Sequence, residues 1–128
     1  MNLNKDQIQT AASKPKNIAQ GSFLETMIES GFVVMTYQNE TPNIQLLEKE
    51  IDSSFIQFHF CLKGHCKFVF NNGTYGLNIL EENSLLLYNP QRDLPIHLEV
   101  DPNTWVVSVY NYIWIVFYIL DFGCGFIF

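Results

Sequence analysis

The chain has 128 residues, 48% of them hydrophobic, which is enough for one domain with a single packed core. Its formal net charge of −6 argues against direct nucleic-acid binding, because an acidic surface repels phosphate and releases no counterions. Three cysteines, an odd number, and an N-terminus without an apolar signal-peptide core predict a reduced, cytoplasmic protein.

Residues 1–21 are polar and show no sustained hydrophobic period, so we expect a loose N-terminal arm. Directly after them, Ser22 and Glu25 have the spacing of a capping box, in which the two residues bond each other's free amides. We therefore expect a short N-terminal helix from residue 22 to about residue 30, ended by Gly31.

From residue 31 onward, short β-branched and aromatic segments are separated by turn residues, which indicates strands. Asn72 and Gly73 suit the positive φ angles of a type I′ turn and predict a hairpin. We expect strands over residues 32–37, 44–51, 55–63, 66–70, 74–80, 84–88, 95–100 and 105–109. Short strands at regular spacing predict a mainly β fold, either a sandwich or a small barrel.

Residues 110–128 form an apolar, aromatic tail whose structure the sequence leaves open. One alternative for the tail is a membrane-spanning helix. The apolar run from residue 105 to residue 120 is shorter than the roughly 20 residues that a spanning helix needs, and no Lys or Arg flanks it. We therefore expect another strand and no membrane insertion.

Residues 51–64 read IDSSFIQFHFCLKG and residues 81–95 read EENSLLLYNPQRDLP. Both stretches resemble the N-terminal domain of AraC-type transcription regulators. A strand that ends at Gly64, a hairpin, an apolar strand and a loop that contains Pro90 follow one another as in cupins. The resemblance covers residues 31–109 and implies a small cupin-like β-barrel, or jelly-roll sandwich, that binds a small-molecule effector.

On this resemblance the chain divides into the arm (1–21), a cupin-like sensing domain (22–109) and the tail (110–128). In the family, a following helical segment dimerises the protein and a pair of helix-turn-helix units binds DNA. Neither part is recognisable here, so we expect an effector-sensing and dimerisation domain that lacks its DNA-binding half. A homodimer is one alternative for its assembly, and the tail has the composition of a truncated or frame-shifted end.

In the cupin pattern that the chain resembles, the face that carries Gln57 points into the barrel, and alternation along each strand extends this orientation to the other residues of that face. Two sets are expected to point inward: Gln57, His59, Cys61 and Lys63 from one strand, and Trp105, Val107 and Val109 from another. We predict ligand-binding roles for Gln57, His59, Lys63 and Trp105, because an aromatic wall opposite polar groups suits a sugar-like or other small polar molecule. The alternative is a filled interior, with Lys63 extending its amine to the rim.

Many cupins are metal enzymes, whose ligands are two histidines one residue apart, a glutamate and a later histidine. In this chain Gln57 occupies the glutamate position, and Glu48 and Glu50 fall where the histidine pair would be. Only His97 could match the last ligand. We therefore predict no metal, no cofactor and no catalytic residue, with a stand-alone cupin enzyme and a non-sensing structural barrel as the alternatives.

Cysteine chemistry is a further possibility that the spacing does not favour. Cys61, His65 and Cys66 lack the second Cys/His pair of a zinc site, and we expect the two thiols to be buried as small apolar groups. Cys61 beside His59 could suggest a nucleophile and its base, but no third residue is identifiable to orient them.

The other face of the strand over residues 55–63 is strongly apolar. It consists of Ile56, Phe58, Phe60 and Leu62. Because so apolar a patch is rarely exposed on a monomer, we expect it to pack in the core, against the predicted helix or a second sheet. The alternative is a dimer surface.

Overall fold

A computed structural model describes residues 8–9, 18–70 and 73–113 of the chain. Within these ranges eleven strands form two sheets. The strands are β1 (Ile8–Gln9), β2 (Ile18–Gln20), β3 (Leu24–Glu29), β4 (Phe32–Asn39), β5 (Ile44–Lys49), β6 (Phe55–Lys63), β7 (His65–Phe70), β8 (Tyr75–Leu80), β9 (Ser84–Leu87), β10 (Ile96–Val100) and β11 (Thr104–Tyr112). The predicted mainly β sandwich is confirmed.

The six-stranded sheet has the order β1-β8-β7-β10-β5-β2, and the five-stranded sheet has the order β3-β4-β11-β6-β9. Neighbouring strands are antiparallel except β2 and β5, which are parallel. The last two strands are inserted between earlier ones, because β10 lies between β7 and β5, and β11 lies between β4 and β6. Each of these two strands therefore pairs with a strand on either side that is distant in the sequence.

The hydrophobic core lies between the two sheets, where alternate side chains of each strand meet. Met35 of the five-stranded sheet and Leu47, Phe68 and Leu98 of the six-stranded sheet are at most 1% exposed. Each sheet thus has an inner face in the core and an outer face. The polar side chains that reach the inner face are consequently enclosed by apolar neighbours.

The predicted hairpin is confirmed by the pairing of β7 with β8, from His65 with Leu80 to Phe70 with Tyr75. The connection between the two strands covers residues 71–74 and is therefore longer than the two-residue type I′ turn that we expected. Gly73 has a φ of 91°, as predicted for a residue without a side chain. Residues 71–72 lie outside the described residues.

The predicted helix over residues 22–30 is wrong, because Leu24–Glu29 form the edge strand β3. This strand pairs antiparallel with β4 across a turn in which Gly31 adopts a φ of 79°. Gly31 therefore lies in the turn of a hairpin and does not end a helix. A helix this short is unstable without a packed face, whereas the strand gains a ladder of hydrogen bonds with β4.

The predicted arm and tail lie mostly outside the described residues. Two pieces of residues 1–21 belong to the six-stranded sheet, since β1 pairs with β8 and β2 pairs with β5. At the other end, β11 continues to Tyr112, and the backbone amide of Ile113 donates to the carbonyl oxygen of Ser54 at 2.9 Å. The predictions for residues 114–128 fall outside the described ranges. Within the described residues, no helix is long and apolar enough to cross a membrane.

Candidate functional site

Strand β6 directs a short polar row into the core, as predicted. Gln57 and His59 are each 1% exposed, and Cys61 is fully buried. The inner position of the row follows from alternation, since the intervening Phe58 and Phe60 are more exposed. The inward orientation of Gln57, His59 and Cys61 is therefore confirmed. The prediction that the other face of this strand packs in the core is wrong for Phe60 and Leu62, which are exposed, although Ile56 is buried.

Hydrogen bonds link the side chains of this row to each other, to the loop that contains Leu94 and to strand β11. The Gln57 Nε2 donates to the carbonyl oxygen of Leu94 at 2.5 Å, which turns Gln57 Oε1 toward His59 Nε2 at 2.9 Å. His59 Nε2 must then carry a proton and donate it, so His59 Nδ1 accepts from Ser108 Oγ at 2.6 Å. The resulting arrangement is a neutral imidazole with both nitrogens engaged.

Burial lowers the pKa of His59 to about 3, because its charged form would lose hydration in an apolar core. The Phe68 ring lies 5.0 Å away between ring centroids and forms part of that core. His59 is therefore uncharged at neutral pH. It can bind a ligand only by giving up its hydrogen bond to Gln57 or to Ser108.

Trp105 and Lys63 do not join this row, and their predicted inward orientation is wrong. Trp105 is 40% exposed, while its neighbours Thr104 and Val106 are buried. The register between β11 and β6 shifts between Trp105 and Val106, where Lys63 pairs with Trp105 but Cys61 pairs with Val106. The extra residue, Leu62, lies on β6, and this bulge turns Lys63 to the outer face. Alternation along β11 is unbroken, with Thr104, Val106 and Ser108 buried, so the predicted inward orientation of Trp105, Val107 and Val109 is wrong for the whole set.

Lys63 and Trp105 contact each other on the exposed side of this irregularity. The Lys63 Nζ lies 5.8 Å from the centroid of the Trp105 ring, within the range of a cation–π interaction. Both side chains are exposed. The four predicted binding residues thus form two separate pairs, one in the core and one on the surface.

The residues present do not fit the metal centre that a cupin fold implies. The polar row offers one imidazole, already hydrogen-bonded at both nitrogens, together with an amide and a hydroxyl group. His97 lies on the outer face of the six-stranded sheet, where its Nδ1 is 3.2 Å from Glu48 Oε2, and Glu50 is exposed. Among the described residues, no three His, Cys, Asp or Glu side chains are grouped to hold a metal ion.

The two buried thiols are close to each other. Cys61 and Cys66 share a hydrogen bond, and burial raises the pKa of both thiols. His65 is turned away from them, with Nδ1 2.8 Å from Asp101 Oδ2 and Nε2 2.9 Å from Asn78 Oδ1. Protonated, buried thiols are poor nucleophiles and poor metal ligands.

A pocket that the sequence did not reveal lies beside the proline-containing loop. Its volume is about 530 Å³, and its lining combines aromatic and charged side chains. The lining residues are Val69, Phe70, Gly73, Tyr75, Arg92, Asp93, Leu94, Pro95 and His97. The loop after Asn89 and Pro90 was visible in the sequence, but its approach to the β7–β8 hairpin depends on how the strands pair.

Two features of this pocket bear on ligand binding. Arg92 is exposed and forms no ion pair with the described residues, and the phenol ring of Tyr75 is half exposed. Leu94 lines the pocket and its carbonyl oxygen accepts the hydrogen bond from Gln57. The pocket wall is therefore hydrogen-bonded to the buried polar row.

Comparison with known proteins identifies the fold. No family model and no curated protein sequence matches the chain. Among solved structures, it is similar to a conserved protein with a double-stranded β-helix domain from Klebsiella pneumoniae, with a TM-score of 0.53 and 14% identity over 77% of this chain and 82% of that one. An RmlC-like cupin protein from Desulfovibrio desulfuricans has a TM-score of 0.50 and 11% identity over 70% and 82% of the two chains.

A third similar structure is an HTH_3 family transcriptional regulator from Vibrio cholerae, with a TM-score of 0.51 and 11% identity over 70% of this chain. The match spans 49% of that regulator, about half of its length. At these identities the comparisons show the fold alone. The chain has a cupin-like double-stranded β-helix fold.

Proposed function

We propose that this chain is the effector-sensing domain of an AraC-type transcription regulator, located in the cytoplasm, with the DNA-binding half outside these residues. The observation that carries the proposal is the pocket of about 530 Å³ beside the loop of Arg92 and Leu94. Its volume is within the range of small-molecule sites, and its lining is about equally polar and apolar. The similarity of the fold to that of a transcriptional regulator supports the same role.

The effector class follows from the pocket lining. The Arg92 guanidinium offers several hydrogen-bond donors, and the Asp93 carboxylate offers acceptors. Tyr75 supplies an aromatic face beside them. This combination suits a small polar molecule. The proposed effector site is therefore the pocket and not Lys63 and Trp105, which the sequence had suggested.

The hydrogen bond between Leu94 and Gln57 provides the route for a signal. A ligand that repositions the loop alters the acceptor of Gln57, and Gln57 is linked through His59 to Ser108 on β11. A ligand that binds one loop arrangement more tightly shifts the population toward it. The end of β11 would pass this change to the residues that follow.

Thermal-shift screening of the purified chain against small polar metabolites tests this function. We expect at least one metabolite to raise the melting temperature, since a ligand at 100 times its Kd stabilises the native state by about 2.7 kcal/mol. Arg92→Ala and Tyr75→Ala should weaken that effect at least tenfold in apparent affinity. Lys63→Ala, which removes a cation away from the pocket, is the matched control and should bind normally.

Two results would contradict the proposal. Equal binding by Arg92→Ala and by wild type would remove the pocket from the effector site. Iron, manganese or nickel bound at equal molarity to the purified chain would favour a stand-alone cupin enzyme over a sensor.

A further inference from the structure

The outer face of the five-stranded sheet is apolar, and its exposure differs between its two ends. At the end where β11 begins, Trp105 is 40% exposed and Leu62 is 54% exposed. At the end where β11 stops, Ile56 is fully buried, and Asn111, its partner on β11, is 6% exposed. The apolar side chains of this surface, which we call the outer apolar face, are Val34, Ile56, Phe58, Phe60, Leu62, Leu86, Trp105, Val107 and Val109.

The burial of Ile56 and Asn111 is not explained by the sheet itself. The six-stranded sheet covers the inner face, where Val106 packs in the core. On an outer face the neighbouring strands flank a side chain without lying above it, so the side chain stays partly exposed, as Phe58 and Val109 do. Complete burial of Ile56 therefore implies that another segment lies above this end of the sheet.

Asn111 also has an unmet hydrogen bond at this end of the sheet. Its Oδ1 is buried, and no described residue donates a hydrogen bond to it. Asn111 shares the outward side of β11 with Val107 and Val109. Because buried amide oxygens are nearly always paired, the segment above the sheet should bring an N–H group to this oxygen.

We infer that residues 114–128 of this chain fold back over the outer apolar face, with the first of them above Ile56 and Asn111. This inference does not rest on the proposed sensing role. β11 lies in the middle of the five-stranded sheet and stops at Tyr112, and the Ile113 amide donates to the Ser54 carbonyl oxygen. Residues 114–128 therefore start at the end of the face that is buried.

The length of residues 114–128 fits the outer apolar face. From Asn111 to Trp105 the face extends along β11 for about 20 Å, at a rise of about 3.3 Å per residue. Residues 114–128 span about 22 Å as a helix and more as a strand. Either conformation therefore reaches over Phe58 and Val109, which lie one row from Asn111.

The composition of residues 114–128 also matches the face. All of them except Asp121, Gly123 and Gly125 are hydrophobic, so they gain by leaving water together with an apolar surface. Attachment to β11 keeps them at a high local concentration beside the face. A second copy has no such advantage, and its net charge of −6 opposes its approach.

Fluorescence of Trp114 in the full chain tests this inference. In a Trp105→Phe background Trp114 is the remaining tryptophan, and we expect emission at short wavelength and weak quenching by acrylamide at every protein concentration. Phe58→Lys should raise the quenching constant about twofold or more, because docking would then bury a charge. The matched control is Leu46→Lys, a half-buried leucine on the outer face of the six-stranded sheet, which should leave quenching unchanged. Circular dichroism confirms that both variants fold.

A second measurement needs no change on the outer apolar face. A nitroxide on the thiol of Asp121→Cys, in a Cys124→Ser background, reports where this segment lies, because Cys61 and Cys66 are buried and do not compete for the label. We expect the nitroxide to broaden amide signals of the five-stranded sheet more than those of the six-stranded sheet, which lies across the core.

Four results would overturn the inference. The first is equal broadening of both sheets. The second is a Trp114 that acrylamide quenches as strongly as free tryptophan, and the third is a protected Trp114 whose quenching Phe58→Lys does not change. The fourth is quenching or broadening that depends on protein concentration, which would assign the outer apolar face to a second copy.

Discussion

At the scale of single residues, the sequence predicted the orientation of the polar row but not its chemistry. The resemblance to cupins places Gln57 inside, and alternation along β6 adds His59 to the same face. The hydrogen bonds to Leu94 and Ser108 depend on residues 37 and 49 positions away, so no local pattern reveals them. These long-range contacts convert a candidate binding histidine into a neutral structural one.

This buried imidazole makes stability depend on pH. Because the folded pKa of His59 is about 3, below the unfolded value near 6.5, only the unfolded chain gains a proton as pH falls between them. The free energy of unfolding should therefore fall by about 1.4 kcal/mol per pH unit in that window from this residue alone. Urea unfolding between pH 7 and pH 4 measures it.

His59→Gln is the control for that measurement. It removes the titrating group and should reduce the slope of the unfolding free energy against pH. His65 contributes in the opposite direction, because hydrogen bonding to Asp101 raises its pKa. The stability from His65 is present below its unfolded pKa and is lost as pH rises. Identical slopes for wild type and His59→Gln would contradict the burial of a neutral imidazole.

At the scale of elements, strand periodicity predicted the strands after residue 31 to within a few residues at each end. It did not predict β3, because the spacing of Ser22 and Glu25 suggested a capped helix while the pairing with β4 is a tertiary effect. It also did not predict the irregularity beside Trp105. This bulge on β6 turns Lys63 to the surface, whereas Trp105 is outside because Thr104, Val106 and Ser108 occupy the buried positions of β11.

The hairpin of β3 and β4 provides a test at this scale. Gly31→Ala should destabilise the protein by more than about 1 kcal/mol, since the position has a φ of 79° that other residues adopt at a cost. An added Cβ would also lie 2.0 Å from the Tyr112 ring.

Thermal unfolding measures the effect, with Thr26→Ala on the exposed edge strand of the same hairpin as the control. We expect the control to change stability by less than about 0.5 kcal/mol, as is usual for a surface substitution. Equal stability of Gly31→Ala and wild type would be inconsistent with a turn that needs glycine.

At the scale of the whole molecule, the resemblance predicted the cupin-like fold, but not where a ligand could enter. The pocket forms where the β7–β8 hairpin meets the loop that contains Arg92 and Leu94, two segments that are distant in the sequence. The order of strands in the sheets, with β10 and β11 inserted between earlier strands, brings such segments together. Pairing of this kind is set by the packing of the entire core.

The central claim is that the pocket beside the loop of Arg92 and Leu94 senses a small molecule. The most direct measurement is an NMR titration of the ¹⁵N-labelled chain with a metabolite that raises its melting temperature. We predict that the amides of Arg92, Asp93, Leu94 and Tyr75 shift most, and that the Gln57 side-chain amide shifts with them. Shifts confined to Lys63, Trp105 and other surface residues of the five-stranded sheet would contradict the claim.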